Sequence, residues 1–203
     1  MRISAVEPQK KKKDRYNIYA EGEYVASLGA EAIVTYAIRV GAEVSAEVLR
    51  EAVEKDNAAY ALDCAAHTLA HGMRTRKELS RKLKERGIDE AAAEAALDKL
   101  TSYGYVDDTA YAAEFVRTMM DTGRMGRVAV EYKLKDKGLD SATIAEAMTA
   151  YTWEDEREIA KRHLANMSGG GDVREQRRKL SAALIRHGFS YDIISSLFSE
   201  DED

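Results

Sequence analysis

Leu79-Ser80-Arg81-Lys82-Leu83-Lys84-Glu85-Arg86-Gly87-Ile88-Asp89-Glu90-Ala91-Ala92-Ala93-Glu94-Ala95-Ala96-Leu97 reads as two helices hinged on a glycine. Leu79 and Leu83 stand four apart before Gly87, and Ile88, Ala93 and Leu97 follow it at spacings that put them on one helix face. The glycine supplies the left-handed residue on which helices commonly stop. The same grammar returns twice: Val130 and Leu134, Gly138, then Leu139, Ile144 and Met148; Leu180 and Leu184, Gly188, then Phe189, Ile194 and Phe198. A repeat of about fifty residues predicts a helical array that buries its core between neighbours. Such a scaffold is first of all a binding surface.

Upstream of each pair lies a further matching element, Tyr60-Ala61, Tyr111-Ala112 and Ile159-Ala160. From that alanine to the second-helix leucine is 22 residues in the first two modules and 24 in the third, where Ser168-Gly169-Gly170-Gly171 accounts for the surplus. The repeat therefore has three helices. Module one spans 57–105, with helices expected at Ala58–Ala70, Arg76–Arg86 and Asp89–Tyr103; module two spans 106–151, and module three, with an acidic tail, 152–203. Residues 1–56 read differently. Residues 1–14 end in Gln9-Lys10-Lys11-Lys12-Lys13 and read as a mobile basic arm or a solvated strand end, and Arg15–Ala20 and Tyr24–Leu28 flank Glu21-Gly22-Glu23 as a β-hairpin. Glu31–Val40 then reads as a helix stopped by Gly41, and Ser45–Asp56 as a second, acidic one. The fold class expected is mainly α: a small N-terminal β-hairpin and helices followed by three tandem three-helix, helix-turn-helix-like repeats.

Composition agrees with helix. Pro8 is the only proline, and the lone cysteine, Cys64, excludes an internal disulfide and fits a reducing, cytoplasmic setting. No run of eighteen apolar residues and no secretory signal occurs, so no membrane partner is expected. The formal charge of −5 conceals a segregation: residues 72–86, 124–137 and 173–186 carry +5, +3 and +4, and the remainder carries −17. An acidic chain can still present a basic face.

The basic segments coincide with the second helices. Thr75-Arg76-Lys77-Glu78 has the form of a capping box. Arg76, Arg127 and Arg177 each stand eleven residues before the module glycine, in or just before the first helical turn, where positive charge opposes the helix dipole. Either an internal carboxylate such as Asp107 or Asp108 answers them, or an external anion does. The candidate contacts are Arg74, Arg76, Lys77, Arg81, Lys82 and Arg86 in module one, Arg124, Arg127, Lys133, Lys135 and Lys137 in module two, and Arg174, Arg177, Arg178 and Lys179 in module three. Cys64, His67 and His71 share one side of a helix but lack an apparent fourth zinc ligand, and His163 and His187 read as isolated. Tyr103 and Tyr105 read as core and turn residues. Neither glycine-rich nucleotide loop occurs and no nucleophile set is present, so no catalytic residue, metal or cofactor is assigned.

Leu100-Thr101-Ser102-Tyr103-Gly104-Tyr105-Val106-Asp107-Asp108-Thr109-Ala110-Tyr111-Ala112 resembles the L-x-x-x-G-[FY]-[LIV]-[DN]-D-x-x-[FY]-A signature of the bacterial RecX family of recombination regulators. Arg74 to Leu83 is similar to that family's R-S-x-x-E-L-x-x-K-L element, with Thr75 for serine. Gly126 to Leu139 is similar to G-x-x-R-I-x-x-E-L-x-x-K-G-I, keeping Gly126, Leu134, Lys137 and Gly138 but with Ala129-Val130 for Arg-Ile and Lys133 for Glu. The hairpin from Arg15 to Tyr19 is like the N-terminal extension of longer members. The resemblance implies a monomeric, non-enzymatic regulator that binds the RecA recombinase and its filament on single-stranded DNA, inhibiting ATP hydrolysis, strand exchange and LexA cleavage. Three linked modules would then lie along the filament groove, touching RecA or DNA directly. The alternative is a general helix-turn-helix DNA-binding protein without a RecA partner.

Overall fold

A computed structural model of the chain describes residues 1–10, 14–166 and 173–199. Lys11–Lys13 of the expected arm, the Ser168–Gly171 insertion and the acidic tail after Ser199 lie outside the described residues. The chain forms two compact units, Met1–Gly72 with Leu79–Val106, and Met73–Glu78 with Asp107–Asp203.

In the first unit, β1 (Ile3–Pro8), β2 (Arg15–Ala20) and β3 (Glu23–Gly29) make an antiparallel sheet in sequence order. The β2–β3 turn puts Glu21 and Gly22 at φ 53° and 89°, the doubly left-handed turn whose twist suits a hairpin. Ile3, Ile18, Ala26 and Leu28 bury one sheet face with α1 (Ala30–Thr35) and with Leu49 and Ala52 of α2 (Ala46–Leu69). Arg15 fastens the sheet to that helix through a 2.9 Å ion pair to Asp56 and a guanidinium 4.4 Å above the Tyr60 ring. Farther along α2, Ala61, Cys64 and Ala65 join Leu79 and Leu83 of α3 (Arg76–Glu85) and Ala93, Ala96, Leu97 and Leu100 of α4 (Glu90–Ser102) in a second core.

Of the two readings of the N-terminal residues the strand holds and the arm does not, because Ile3–Pro8 pair with β2 and Ile3 is buried. Two further expectations are corrected. The first helix ends at Thr35 rather than Val40, for Ala37 takes φ 51°. The helices expected at Ser45–Asp56 and Ala58–Ala70 are one continuous α2. Ala52 and Ala61 are nine residues apart, and at about 100° per residue they face opposite sides. The buried stripe changes sides mid-helix, and in the sequence that change looks like a break.

The second unit holds α5 (Asp108–Thr122), α6 (Arg127–Asp136), α7 (Ser141–Met148), α8 (Trp153–Asn166), α9 (Val173–Arg186) and α10 (Tyr191–Ser199) around one core. Ala61, Ala112 and Ala160, the matched first-helix residues, are each wholly buried. The matched positions around the module glycines are buried as well, except Leu180, which is half-buried. Gly87, Gly138 and Gly188 take φ 77°, 92° and 75°. Each donates to the carbonyl three residues back, while Ile88, Leu139 and Phe189 donate to Leu83, Leu134 and Leu184 at 3.2, 3.2 and 3.1 Å. That is the Schellman ending, three times over.

Candidate functional site

The second helices must satisfy the orphan amides at their N-termini, and in the second unit neighbouring segments supply the acceptors. In the second unit, Gly126 N–H donates to His187 O and Val128 N–H to Gly188 O, both at 3.0 Å. The Glu156 carboxylate, 2% exposed, accepts from Arg127 N–H at 3.0 Å and from the Ser190 amide and hydroxyl at 2.9 Å. The same joint recurs one module earlier and within the same unit: Thr75 Oγ1 donates to Lys137 O at 2.8 Å, and Arg76 N–H donates to Asp108 Oδ1 at 2.9 Å. Asp108 and Glu156 both stand four residues before the buried first-helix alanine. The internal carboxylate expected near Arg76 is thus present, but it answers the backbone amide. Asp107 instead caps α5 by accepting from Ala110 N–H.

Thr75 and Glu78 complete the expected capping box, each side chain accepting from the other's amide at 3.2 Å. Glu78 does more than cap, since Lys137 Nζ reaches its Oε1 at 2.6 Å while lying 5.3 Å from the Tyr111 ring centre. Burial pushes the Glu78 carboxyl up, but the Lys137 hydrogen bond and charge and the Thr75 amide together hold it below its ordinary 4.5. Burial pulls the Lys137 ammonium down, and its Glu78 and Tyr111 contacts leave it above its ordinary 10.5. The pair's contribution is therefore fully present between these ordinary values and lost as pH falls through the depressed carboxyl or rises through the raised ammonium. Glu78→Gln, which keeps a capping side chain, is expected to cost about 1 kcal/mol at pH 7 in urea unfolding, with the difference closing as pH falls through the depressed Glu78 carboxyl. A difference independent of pH would show that the ion pair contributes nothing.

Other expected contacts are also committed inside the protein. Arg127 donates from Nη1 to Met148 O at 3.2 Å and to Tyr151 O at 2.5 Å, closing the end of α7, and its Nε lies 3.3 Å from Glu131. Arg86 reaches Cys64 Sγ at 3.2 Å, Arg74 the Met73 carbonyl at 2.7 Å and Lys77 the Asp136 carbonyl at 3.4 Å. Arg81 and Lys179 pair along their own helices with Glu85 and Glu175. Arg177 departs from the expected first turn. It is the fifth residue of α9, which starts at Val173, and its guanidinium lies 5.2 Å from the Phe198 ring centre. Lys82, Arg124, Lys133, Lys135, Arg174 and Arg178 are exposed and have no ion pair among the described residues.

In the second unit a cavity of about 630 Å³ is lined by Arg124, Lys133, Arg162, Arg186, His163 and His187, together with Met125 and Ala129. Of its cations, the sequence pointed to Arg124 and Lys133 alone. His163 and His187 are not isolated, for their rings are 4.9 Å apart. Tyr103 and Tyr105 stand at the turn after α4 as expected but not in the core, being 63% and 67% exposed because Leu100 and Val106 fill the core at that corner. Cys64 is buried, and among the described residues no cluster of three or more His, Cys, Asp or Glu is placed to hold a metal. No helix of the described residues is long and apolar enough to cross a membrane.

Comparison with known proteins bears on the same elements. The "Regulatory protein RecX N-terminal domain" matches residues 1–45, "RecX, first three-helix domain" 61–100 and "RecX, second three-helix domain" 107–148. A regulatory protein RecX of Clostridium acetobutylicum is 31% identical, with 98% of this chain and 97% of that protein covered. One of Lactobacillus delbrueckii subsp. bulgaricus is 35% identical, over 93% and 70% of the two chains. Among solved structures, a regulatory protein RecX is 30% identical with a TM-score of 0.67 over 96% of this chain and 97% of that one; RecX from Lactobacillus salivarius is 31% identical with a TM-score of 0.65 over 72% and 97%. With its N-terminal sheet, its glycine-hinged modules and these relatives along nearly its whole length, the chain belongs to the RecX family of regulatory proteins.

Proposed function

We propose that this protein binds the RecA recombinase, above all its filament on single-stranded DNA, and restrains the filament's ATP hydrolysis, strand exchange and LexA cleavage. It acts by binding rather than catalysis, as a cytoplasmic monomer, through modules at 57–105, 106–151 and 152–203 attached to the N-terminal segment 1–56. The observation that carries the reading is the recurrence of exposed cations without internal ion pairs among the described residues on the second helices: Lys82 on α3, Lys133 and Lys135 on α6, and Arg174 and Arg178 on α9. Linked weak contacts multiply through effective concentration, which suits a partner that is itself a repeating polymer. The helix-turn-helix alternative needs a third helix with base-reading side chains. Here α4 brings Glu90, Glu94 and Asp98, and α7 is mostly small residues.

The deciding experiment is a RecA ATPase assay on single-stranded DNA with this protein titrated in. Joint replacement Lys82→Glu, Lys135→Glu, Arg174→Glu and Arg178→Glu is expected to leave helical content unchanged and raise the half-inhibitory concentration at least about tenfold. Unchanged inhibition would mean that these charges are only solvated. Binding to bare duplex DNA that equals binding to RecA filaments at ~150 mM salt would favour the alternative.

A further inference from the structure

We infer that the cavity bounded by the α5–α6 connection, α6, α8 and α9 is a phosphate site that takes the backbone of a single nucleic-acid strand. Arg124 approaches it from the connection, Lys133 from α6, Arg162 from α8 and Arg186 from the end of α9, and no carboxylate lines it among the described residues. None of the four cations has an ion pair among the described residues. Elsewhere in the same unit Arg117 is answered by Glu114 at 2.6 Å and Lys161 by Glu158 at 3.3 Å, while Lys135, Arg174 and Arg178, unanswered among the described residues, do not line the cavity. Acidic residues outnumber basic ones by 36 to 31, so a hollow walled by one sign is not what average composition supplies. Like charges around a concave surface focus the field, and planar guanidinium groups match phosphate oxygens two at a time.

The floor is fixed before any ligand arrives. Gly123 ends α5 at φ 59°, and a Cβ there would meet the Arg162 guanidinium at 3.6 Å, so the arginine lies close against the chain at that turn. The Gly123 carbonyl can only accept, so His163 Nε2 carries the hydrogen of their 2.7 Å bond. The His163 ring is further held between His187 at 4.9 Å and Phe189 at 5.3 Å. At about 630 Å³ the cavity exceeds a lone phosphate and lies within the roughly 300–1,000 Å³ of small-ligand sites. A free nucleotide fits it less well than a strand. Among the described residues no acid lines it to hold a ribose hydroxyl, and the sequence has no glycine-rich nucleotide loop, whereas a phosphodiester needs only the cations.

This site goes beyond the RecA reading, because a strand can occupy it with no recombinase present. The test uses the full chain and labelled oligothymidylate of about 16 nucleotides. Arg124→Gln with Arg186→Gln is expected to weaken binding at least about tenfold at ~50 mM salt and to make the log–log salt dependence shallower by about 0.7 for each phosphate no longer held. Arg117→Gln with Lys161→Gln, which removes the same formal charge from the same unit, should stay within about twofold. Equal weakening by both pairs would overturn the site. Independently of any variant, proton NMR of the four histidine rings should show His163 and His187 moving on strand addition while His67 and His71 stay put; the reverse pattern would also overturn it. Competition by ~1 mM inorganic phosphate or thymidine monophosphate should leave the strand bound. Full displacement by either would assign the cavity to a free phosphate and overturn the strand as its occupant.

Discussion

Glu156→Ala should destabilise the second unit by about 3 kcal/mol, seen as a fall of roughly 12 °C or more in its thermal midpoint. The carboxylate is 2% exposed and its two oxygens receive three donors: the first amide of α6, and the amide and hydroxyl of Ser190 at the start of α10. Alanine would leave the Arg127 and Ser190 amides without their acceptor at a joint that water enters poorly, and each buried orphan costs about 1–3 kcal/mol. The Ser190 hydroxyl can rotate and loses less. Glu156→Gln keeps the shape and one acceptor oxygen, so about half the effect should return. Glu154→Ala, exposed in the same helical turn, should stay within about 0.5 kcal/mol. A midpoint for Glu156→Ala within about 2 °C of the unaltered protein would mean that this joint does not hold the modules together.

The repeat was legible because its information is local. Leu83, Gly87 and Ile88 meet through one turn of chain, so spacing alone gives both the helices and the Schellman ending that closes the first of them. The sheet was half legible: β2 and β3 announce themselves through Glu21-Gly22, whereas β1 pairs across a longer connection and leads into lysines whose charge leaves arm and strand end equally open. The site was less legible still, because a side chain's partner depends on which modules touch. Arg127 and Lys137 share the charge of Lys133 and Lys135, yet the first two are held by internal carbonyls, a carboxylate and a ring. Resemblance to the family singled out Thr75, Glu78, Lys137 and Gly138, and these are the residues that meet at one joint. What the motif preserves there is the seating of the Thr75–Glu78 turn against the end of α6. The cavity was invisible since its four cations come from separate segments, and 24 residues separate His163 from His187.

Gly126→Ala should be the costlier of two glycine replacements that look alike in sequence. Gly126 has φ −76° and ψ 169°, ordinary extended backbone that any residue adopts, so alanine brings no conformational strain. Its Cβ, however, would overlap Phe189 Cα and N and the Gly188 carbonyl oxygen. Backbone atoms cannot swing aside as a side-chain tip can, so the first turn of α6 would have to lift off the α9–α10 turn. That movement strains the Gly126–His187 and Val128–Gly188 hydrogen bonds and draws Arg127 N–H away from Glu156. Overpacking together with the loss of these bonds should cost about 3 kcal/mol or more. Gly87→Ala is the opposite case. At φ 77° it is strained, but nothing lies within 4 Å of the new Cβ, so about 1 kcal/mol is expected. The two replacements separate the roles glycine has in this fold, one turning the chain and the other letting one module's backbone rest on the next. If urea unfolding finds Gly126→Ala no worse than Gly87→Ala, the modules do not dock through that contact. If Gly126→Ala is much worse, α6 needs its N-terminal glycine for close approach of backbone to backbone, and the second and third modules are held together there.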